Sequence, residues 1–300
     1  MAQVAVVGGG LMGVGIAQVF AAAGHAVSVF EPDARTRASL RQRAADNLRA
    51  IGKDPAAAQR IATTADLASA VANASFVTEA VPEKLELKRS LFAQLVQHSP
   101  PTAILASNSS VIPIGRIAAE LASADRIVGT HWWNPAPLIP LVEVIQGKHT
   151  SAATIDGTME LLRAIGKHPA HVKKDVPGFV ANRLQHALWR EAIAMVAEGI
   201  CDAATLDACV KNSFGLRLPV LGPLENADLV GLDLTLDIHR TIISELDRHA
   251  GPHEYLQAQV DAGRLGFKSG VGFRSWTEAE KAQLQARLTE HLLAAASKRQ

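Results

Sequence analysis

Three hundred residues carry 30 Lys and Arg against 29 Asp and Glu, a formal net charge of +1, and 48% of them are apolar. That length suffices for one large domain or two ordinary ones, each with its own core. The near-neutral balance argues against a nucleic-acid partner, which calls for a basic surface, and no apolar stretch reaches the roughly 18–20 residues of a membrane span.

The opening MAQVAVVGGG lacks the basic segment and cleavage site of a secretion signal and reads as a first buried strand, Gln3 to Gly8. Gly8, Gly10 and Gly13 follow at once in the pattern G-x-G-x-x-G, with Leu11 and Met12 opening a helical segment. In a nucleotide site Gly8 permits the tight turn, Gly10 lets backbone approach a pyrophosphate, and Gly13 lets the helix pack on the strand. The free N–H groups at the start of that helix face the phosphates. A glycine-rich turn with no nucleotide has the same pattern, so the context matters. The next apolar run, Ala26 to Phe30, leads into Glu31, eighteen residues after Gly13. A carboxylate there accepts from the ribose hydroxyls and repels a 2′-phosphate, so NAD is expected rather than NADP, although Arg35 nearby acts in the opposite sense.

Further apolar runs at Phe76–Val81, Ala103–Ser107 and Arg126–His131 alternate with helical patterns such as Gly13–Gly24 and Leu87–Gln97. Strands alternating with helices predict an α/β fold with right-handed crossovers, a doubly wound, Rossmann-type parallel sheet. Arg126–His131 is its last readable strand.

The stretch Gly129–Ile145 sets His131 and, twelve residues on, Glu143 among tryptophans, prolines and aliphatic residues. Charged groups are costly to bury without partners, so these are either surface residues of unrelated loops or a pair held away from water. Pro135, Pro137 and Pro140 stiffen the intervening loop, which can fold Glu143 back onto His131. That places the pair at the carboxyl end of a strand, where ligands bind in open α/β sheets. A carboxylate accepting from one imidazole nitrogen fixes the tautomer and raises the basicity of the other. A general base needs this to take a hydroxyl proton while hydride leaves the same carbon for a nicotinamide. The residues alone leave a structural histidine and a solvated glutamate equally open.

Pro177 and Gly178 punctuate the chain, and the patterns after them are helical: Arg183–Ile200, Thr205–Gly215 and Gly231–Gly251, with apolar residues at three- and four-residue spacing. We therefore place an NAD-binding Rossmann-type domain at 1–178 and an all-α substrate and dimerisation domain at 179–300. The last segment opens at Thr277 with acidic residues and closes with Lys298 and Arg299, in keeping with an N-cap and the helix dipole. The C-terminal domain is apolar for its size, which points to a dimer interface; the alternative is that it packs only on its own sheet domain. Cys201 and Cys209 are the only cysteines, eight apart in a helical pattern. They are expected to be buried thiols of a reducing cytoplasm, with no metal or redox role.

The glycine turn, HWWNP with Glu143 twelve after the histidine, GFVANRL from Gly178 to Leu184, and the stretches TEAVPEKLELK, SNSS, GPLENADLVGLD and GRLGFKSGVGF occur together. With these motifs the chain resembles the L-3-hydroxyacyl-CoA dehydrogenase family over nearly its whole length. The resemblance implies an NAD-dependent oxidoreductase of fatty acid metabolism that interconverts an L-3-hydroxyacyl-CoA and its 3-oxoacyl-CoA. It implies a cytoplasmic homodimer acting on a small molecule, without a nucleic-acid or membrane partner. Carried over by position, His131 is the general base, Glu143 its orienting carboxylate, and Ser110 a donor to the reacting oxygen. Asn182 polarises the same oxygen and holds the imidazole, Asn134 braces the loop, and Glu83 and Lys88 contact the nicotinamide ribose. Both Ser110 and Asn182 can donate to an oxygen that gains negative charge; without the resemblance they read as a turn-capping serine and a helix N-terminal asparagine. Glu83 and Lys88 would otherwise be an exposed helix start.

The segment Asn47–Ile61 is shorter than in the acyl-CoA enzymes, in which a helical hairpin helps to hold the CoA. Several phrases, among them IPLVEVI, GFVANRLQ and GLRLPVLGPLE, resemble the branch containing L-gulonate 3-dehydrogenase, lambda-crystallin and carnitine dehydrogenase. That branch implies a small free 3-hydroxy acid as the alternative substrate. Arg217 is then a candidate anchor for its carboxylate, and Trp132 and Trp133 either narrow the pocket or pack the core. A non-catalytic, crystallin-like NAD-binding protein is a third reading, against which the intact His131, Glu143, Ser110 and Asn182 set argues. A 6-phosphogluconate or 3-hydroxyisobutyrate type of dehydrogenase looks to a lysine at the start of the helical domain, and GFVANRL has none.

Overall fold

Strand β1 (Gln3–Val7) is apolar and fully buried from Val4 to Val7, as expected of a strand covered on both faces. In the computed structural model, which describes residues 2–298, it lies near the middle of one eight-stranded sheet. The others are β2 (Ala26–Phe30), β3 (Ile61–Thr64), β4 (Phe76–Glu79), β5 (Ile104–Ser107), β6 (Ile127–Trp132), β7 (Leu141–Ile145) and β8 (His168–Val172). The order is β3-β2-β1-β4-β5-β6-β7-β8. The chain changes direction of travel between β1 and β4, the switch point at which open α/β sheets bind ligands.

Residues alternate between the two faces with period two. Val4 and Val6 join one core with Phe20, Val29, Trp132 and Leu162. Ala5 and Val7 join the other with Phe92, Leu105, Ile127 and Phe179. The covering helices include α1 (Leu11–Ala22), α2 (Ala34–Ala50), α3 (Leu67–Val71), α4 (Leu85–His98), α5 (Ile114–Ile117) and α6 (Ala152–Ala164).

The sheet continues beyond His131, where the sequence reading ended. β7 pairs antiparallel with β6, and β8 then pairs parallel with β7. The expected proline-stiffened loop is real but short, and Glu143 lies within a strand. The prolines that precede LVEVI and a charge inside it hide the alternation that marks a strand. β3 was missed for a similar reason: its four residues, IATT, follow a 3-10 turn at Pro55–Arg60 without a long apolar run.

The chain forms two compact units, one running to Arg183 and taking in Thr289 onward, the other Leu184–Leu288. Helix α7 (Ala181–Ala197) begins in the first and continues in the second. The second unit holds α8 (Ala203–Lys211), α9 (Pro223–Val230), α10 (Leu232–Ile242) and α11 (Glu254–Asp261). α12 (Glu278–Ser297) begins there. Thr277 and Glu280 cap α12 reciprocally, Thr277 N donating to Glu280 Oε2 at 2.7 Å and Glu280 N to Thr277 Oγ1 at 3.2 Å. Arg299, expected at its basic end, lies outside the described residues.

Between Leu184 and Leu288 only Ala194 and Gln259 are buried. The two cysteines depart from expectation for that reason. Cys201 precedes α8 and is half-buried, and Cys209 on α8 is exposed.

Candidate active site

Gly8 adopts φ +105°, and a side chain there would begin 2.9 Å from the carbonyl oxygen of Ala80. A Cβ on Gly13 would sit 1.8 Å from the carbonyl oxygen of Gly8, so strand and helix meet too closely for any other residue. Gly10 faces open space, with nothing within 4 Å of its Cβ position, and α1 has no side-chain cap. Unsatisfied first-turn N–H groups beside that opening suit a diphosphate. Leu11 is exposed and Met12 half-buried at the mouth of this turn. Glu31 stands against it, Oε2 accepting from Gly9 N at 2.8 Å and Oε1 from Asp33 N at 2.9 Å. Each oxygen keeps a lone pair for a ribose hydroxyl. Arg43, which the sequence reading did not find, donates to Gly9 O at 2.5 Å. It comes from α2, 34 residues away, and nothing local marks it.

The turn after β5 carries Ser110. Glu83 Oε1 accepts from the Ser109 hydroxyl at 2.5 Å and from the amides of Ser110, Val111 and Ile112 at 3.0–3.3 Å. Lys88 is fully buried and donates to Glu79 at 2.7 and 2.8 Å, with Glu83 Oε2 3.2 Å away. The Ser107 hydroxyl completes the cluster by donating to Glu79 at 2.7 Å. Burial pushes the Glu83 carboxyl up, but the Ser109 hydroxyl, the Val111 and Ile112 amides and the Lys88 ammonium hold it below the usual value. Glu83, a third exposed, faces solvent while Lys88 lies beneath it. Asn182, at the start of α7, donates from Nδ2 to Ser110 O at 3.1 Å. Ser110 and Asn182 are thus neighbours although 72 residues apart.

The antiparallel register of β6 and β7 sets His131 directly opposite Glu143. Residues so paired project to the same face, and His131 Nδ1 lies 2.7 Å from Glu143 Oε2. The other carboxylate oxygen accepts from the amides of Val180 at 2.9 Å and Ala181 at 3.1 Å, where α7 begins. A carboxylate is favoured at such a helix start. Both side chains are buried, His131 4% exposed and Glu143 1%. Burial alone raises the Glu143 carboxyl; the bond from His131 and the two amides outweigh it and hold the group ionised, below the usual carboxylate range. With Nδ1 donating to this carboxylate, Nε2 carries the lone pair. The rings of Trp133 and Phe179 flank the imidazole, with centroids 5.1 and 5.7 Å away. Trp132 turns the other way, 2% exposed, against Phe20 in the core. Asn134 is exposed, and the bonds that hold the loop come instead from Lys167 on its far side. Arg217 is an exposed residue of the second unit.

A dinucleotide cradle at the switch point of a doubly wound sheet, with an imidazole held by a buried carboxylate on the same sheet, defines a nicotinamide-linked oxidoreductase. The family model for the NAD-binding domain of 3-hydroxyacyl-CoA dehydrogenase matches residues 3–176, and that for its C-terminal domain matches 178–276. The chain belongs to the 3-hydroxyacyl-CoA dehydrogenase family and is an NAD-dependent dehydrogenase.

The chain is 34% identical over 298 residues to 5-formyl-3-hydroxy-2-methylpyridine 4-carboxylate 5-dehydrogenase of Mesorhizobium japonicum, covering 97% of this chain and 96% of that one. A crystal structure of a dehydrogenase of that name, described as an NAD+-dependent dismutase, superposes with a TM-score of 0.90, at 34% identity over 98% and 97% of the two chains. L-carnitine dehydrogenase of Streptomyces griseus is 41% identical over 233 residues, 76% of this chain and 70% of that protein. The structure of (S)-3-hydroxybutyryl-CoA dehydrogenase from Ralstonia eutropha matches at 33% identity and a TM-score of 0.75, covering 93% and 100%.

Proposed function

We propose that this protein oxidises, or forms by reduction, a small free hydroxy acid, with His131 as general base and Glu143 as the carboxylate that orients it. The short, directly paired His131–Glu143 contact carries the acid–base part of this reading. The Glu143 carboxylate holds a proton on Nδ1, so Nε2 is free to take the hydroxyl proton of an alcohol or return it to a ketone. The NAD+ that the cradle would hold would supply the hydride acceptor for the carbon that bears that hydroxyl. Ser110 and Asn182, brought together beside the β5 turn, donate to the oxygen as it becomes a carbonyl or alkoxide. Glu31 holds the adenosine ribose. Glu83 receives the nicotinamide ribose, and Lys88 acts through Glu83 by fixing its charge and position.

The connection between β2 and β3 supports a free acid. It consists of α2 and one 3-10 turn, Pro55–Arg60, with no helical hairpin of the kind that helps to hold CoA. A relative matched over almost the full length acts, by its name, on a free pyridine carboxylate. The acyl-CoA reading rests on the family description and on the Ralstonia eutropha enzyme. Oxidation of NADH with acetoacetate, 3-dehydrocarnitine and 3-oxobutyryl-CoA separates the two. We expect kcat/KM for a free oxo acid to exceed that for the thioester by at least about tenfold, a difference of roughly 1.4 kcal/mol. A preference for the thioester returns the assignment to acyl-CoA chemistry, and no turnover of either class removes this proposal.

The same reading assigns residues 1–178 to cofactor binding and 179–300 to substrate binding and dimerisation, in a cytoplasmic homodimer. The dimer is supported by the exposed apolar side chains of the second unit, including Val220, Leu224, Leu229 and Leu232, each more than 60% exposed. The two free thiols suit a reducing compartment. Among the described residues, no helix is long and apolar enough to cross a membrane.

A further inference from the structure

Lys167 lies between α6 and β8, with only 9% of its surface exposed. Its Nζ donates to the carbonyl of Ala136 and, at 3.0 Å, to that of Ile139. The indole of Trp132 lies beneath the ammonium, its ring centre 5.5 Å away. All three partners belong to one stretch, the end of β6 and the loop that leads to β7. The same loop rests on α1: Ala136 Cβ and Pro137 Cδ are 3.3 and 3.7 Å from where a side chain on Gly15 would begin. The loop therefore joins His131 on β6 to Glu143 on β7 while seated on the helix that opens the nucleotide cradle.

Among the described residues, no acid pairs with this ammonium. Neither the loop nor α1 contains an ionisable residue. Asp156, Glu160 and Arg163 on α6 and His168 and His171 on β8 are exposed, and no ion pair to Lys167 forms among the described residues. A buried charge without a counter-ion is expensive, and an apolar side chain of similar length would fill the space without that cost. What the ammonium adds is direction, because charge-assisted donors fix two carbonyls some thirty residues away in the chain.

We propose that Lys167 is a positioning residue, whose ammonium clamps the β6–β7 loop onto α1 and so sets the His131–Glu143 pair relative to the nucleotide cradle. The catalytic consequence rests on His131 being the base, whereas the clamp itself does not. Burial lowers the Lys167 pKa from 10.5 to about 8, so the clamp loses its proton at moderately alkaline pH. The neutral amine keeps two weaker donors. Because the folded value lies below the unfolded one, deprotonation between the two raises the group's contribution to global stability. The same sign applies to any opening of the loop that hydrates the amine, so rising pH in that window favours the closed loop.

Hydrogen exchange of the full-length protein tests the clamp without a substrate. At about pH 7, Lys167→Met should speed exchange in residues 133–141 by on the order of tenfold, the effect of losing one charge-assisted bond, with other strands unchanged. Corrected for intrinsic rates, the wild type should keep or gain protection in that segment as pH rises through about 8. Lys167→Arg, which stays charged, should show no change with pH there. With whichever substrate the turnover assay identifies, Lys167→Met should lower kcat by about tenfold while NADH affinity, read by fluorescence titration, changes less than about twofold. Equal exchange in wild type and Lys167→Met, or loss of protection spread over the whole sheet, overturns the clamp. Should Lys167→Met not fold, Lys167→Gln replaces it at about pH 7, and loop exchange equal to that of the wild type is the negative result; a wild-type loop that loses protection across pH 8 also overturns the clamp. A chain that turns over no hydroxy acid but shows the exchange pattern keeps the clamp and loses only its catalytic reading.

Discussion

His131 illustrates how one side chain acquires a role from its neighbours. Its ring sits between Trp133 and Phe179, with Nδ1 committed to a carboxylate that two helix amides keep ionised. His131→Gln should therefore lower kcat by at least about a hundredfold, the usual scale of general-base loss, with NADH affinity little changed. A decrease below about tenfold in steady-state assays would remove the histidine from the proton transfer. Glu31 invites a second substitution. Its oxygens are held by Gly9 and Asp33 at the edge of the cradle, so Glu31→Ala should weaken NAD binding and relax discrimination against NADP, as judged from the ratio of kcat/KM values. The positions of these two residues at recognisable strand ends were legible from spacing, whereas the role of His131 was left open by the residues alone and came from the family motifs. Lys167 and Arg43 were not: their partners are backbone carbonyls, which leave no mark in a sequence, and they lie 31 and 34 residues from them.

Among the elements, the β6–β7 pair and the start of α7 form one electrostatic unit centred on Glu143. Its carboxyl pKa is lowered relative to the ordinary 4.5, the bonds from His131, Ala181 and Val180 outweighing burial. A group depressed in this way contributes stability at neutral pH that is lost as pH falls through its folded value. Glu143→Gln should accordingly reduce Tm at neutral pH by a few degrees, the effect of roughly 1–3 kcal/mol for buried groups left without a partner. That difference should shrink as the pH falls below about 4.5, and a difference that stays constant or grows in acid, followed by calorimetry, would contradict this account. The antiparallel pairing could not be read beforehand. LVEVI offers too short a run, with a charge at its centre, and only the hydrogen bonds to β6 declare it a strand.

For the whole molecule, the contrast between the two units is the main fact. The sheet-bearing unit buries long apolar cores on both faces, while the second unit buries only Ala194 and Gln259 among residues 184–288. Such a helical surface is expected to be covered by a second copy, so sedimentation or mass photometry should give about twice the 31.8 kDa of one chain. A monomer at micromolar concentration would leave that surface unexplained and withdraw the dimer.

The sequence by itself determined the α/β class and the nucleotide turn, because local periodicity, glycine sterics and strand-end offsets are encoded over short stretches. It left the pairing of His131 with Glu143 as one of two open readings until the family motifs were weighed. Only the tertiary structure decided that β7 runs antiparallel, that Glu83 and Lys88 stack beneath Ser110, and that Lys167 grips the loop. Those contacts depend on which distant backbone groups arrive beside a side chain, and that follows from the register and packing of the completed sheet.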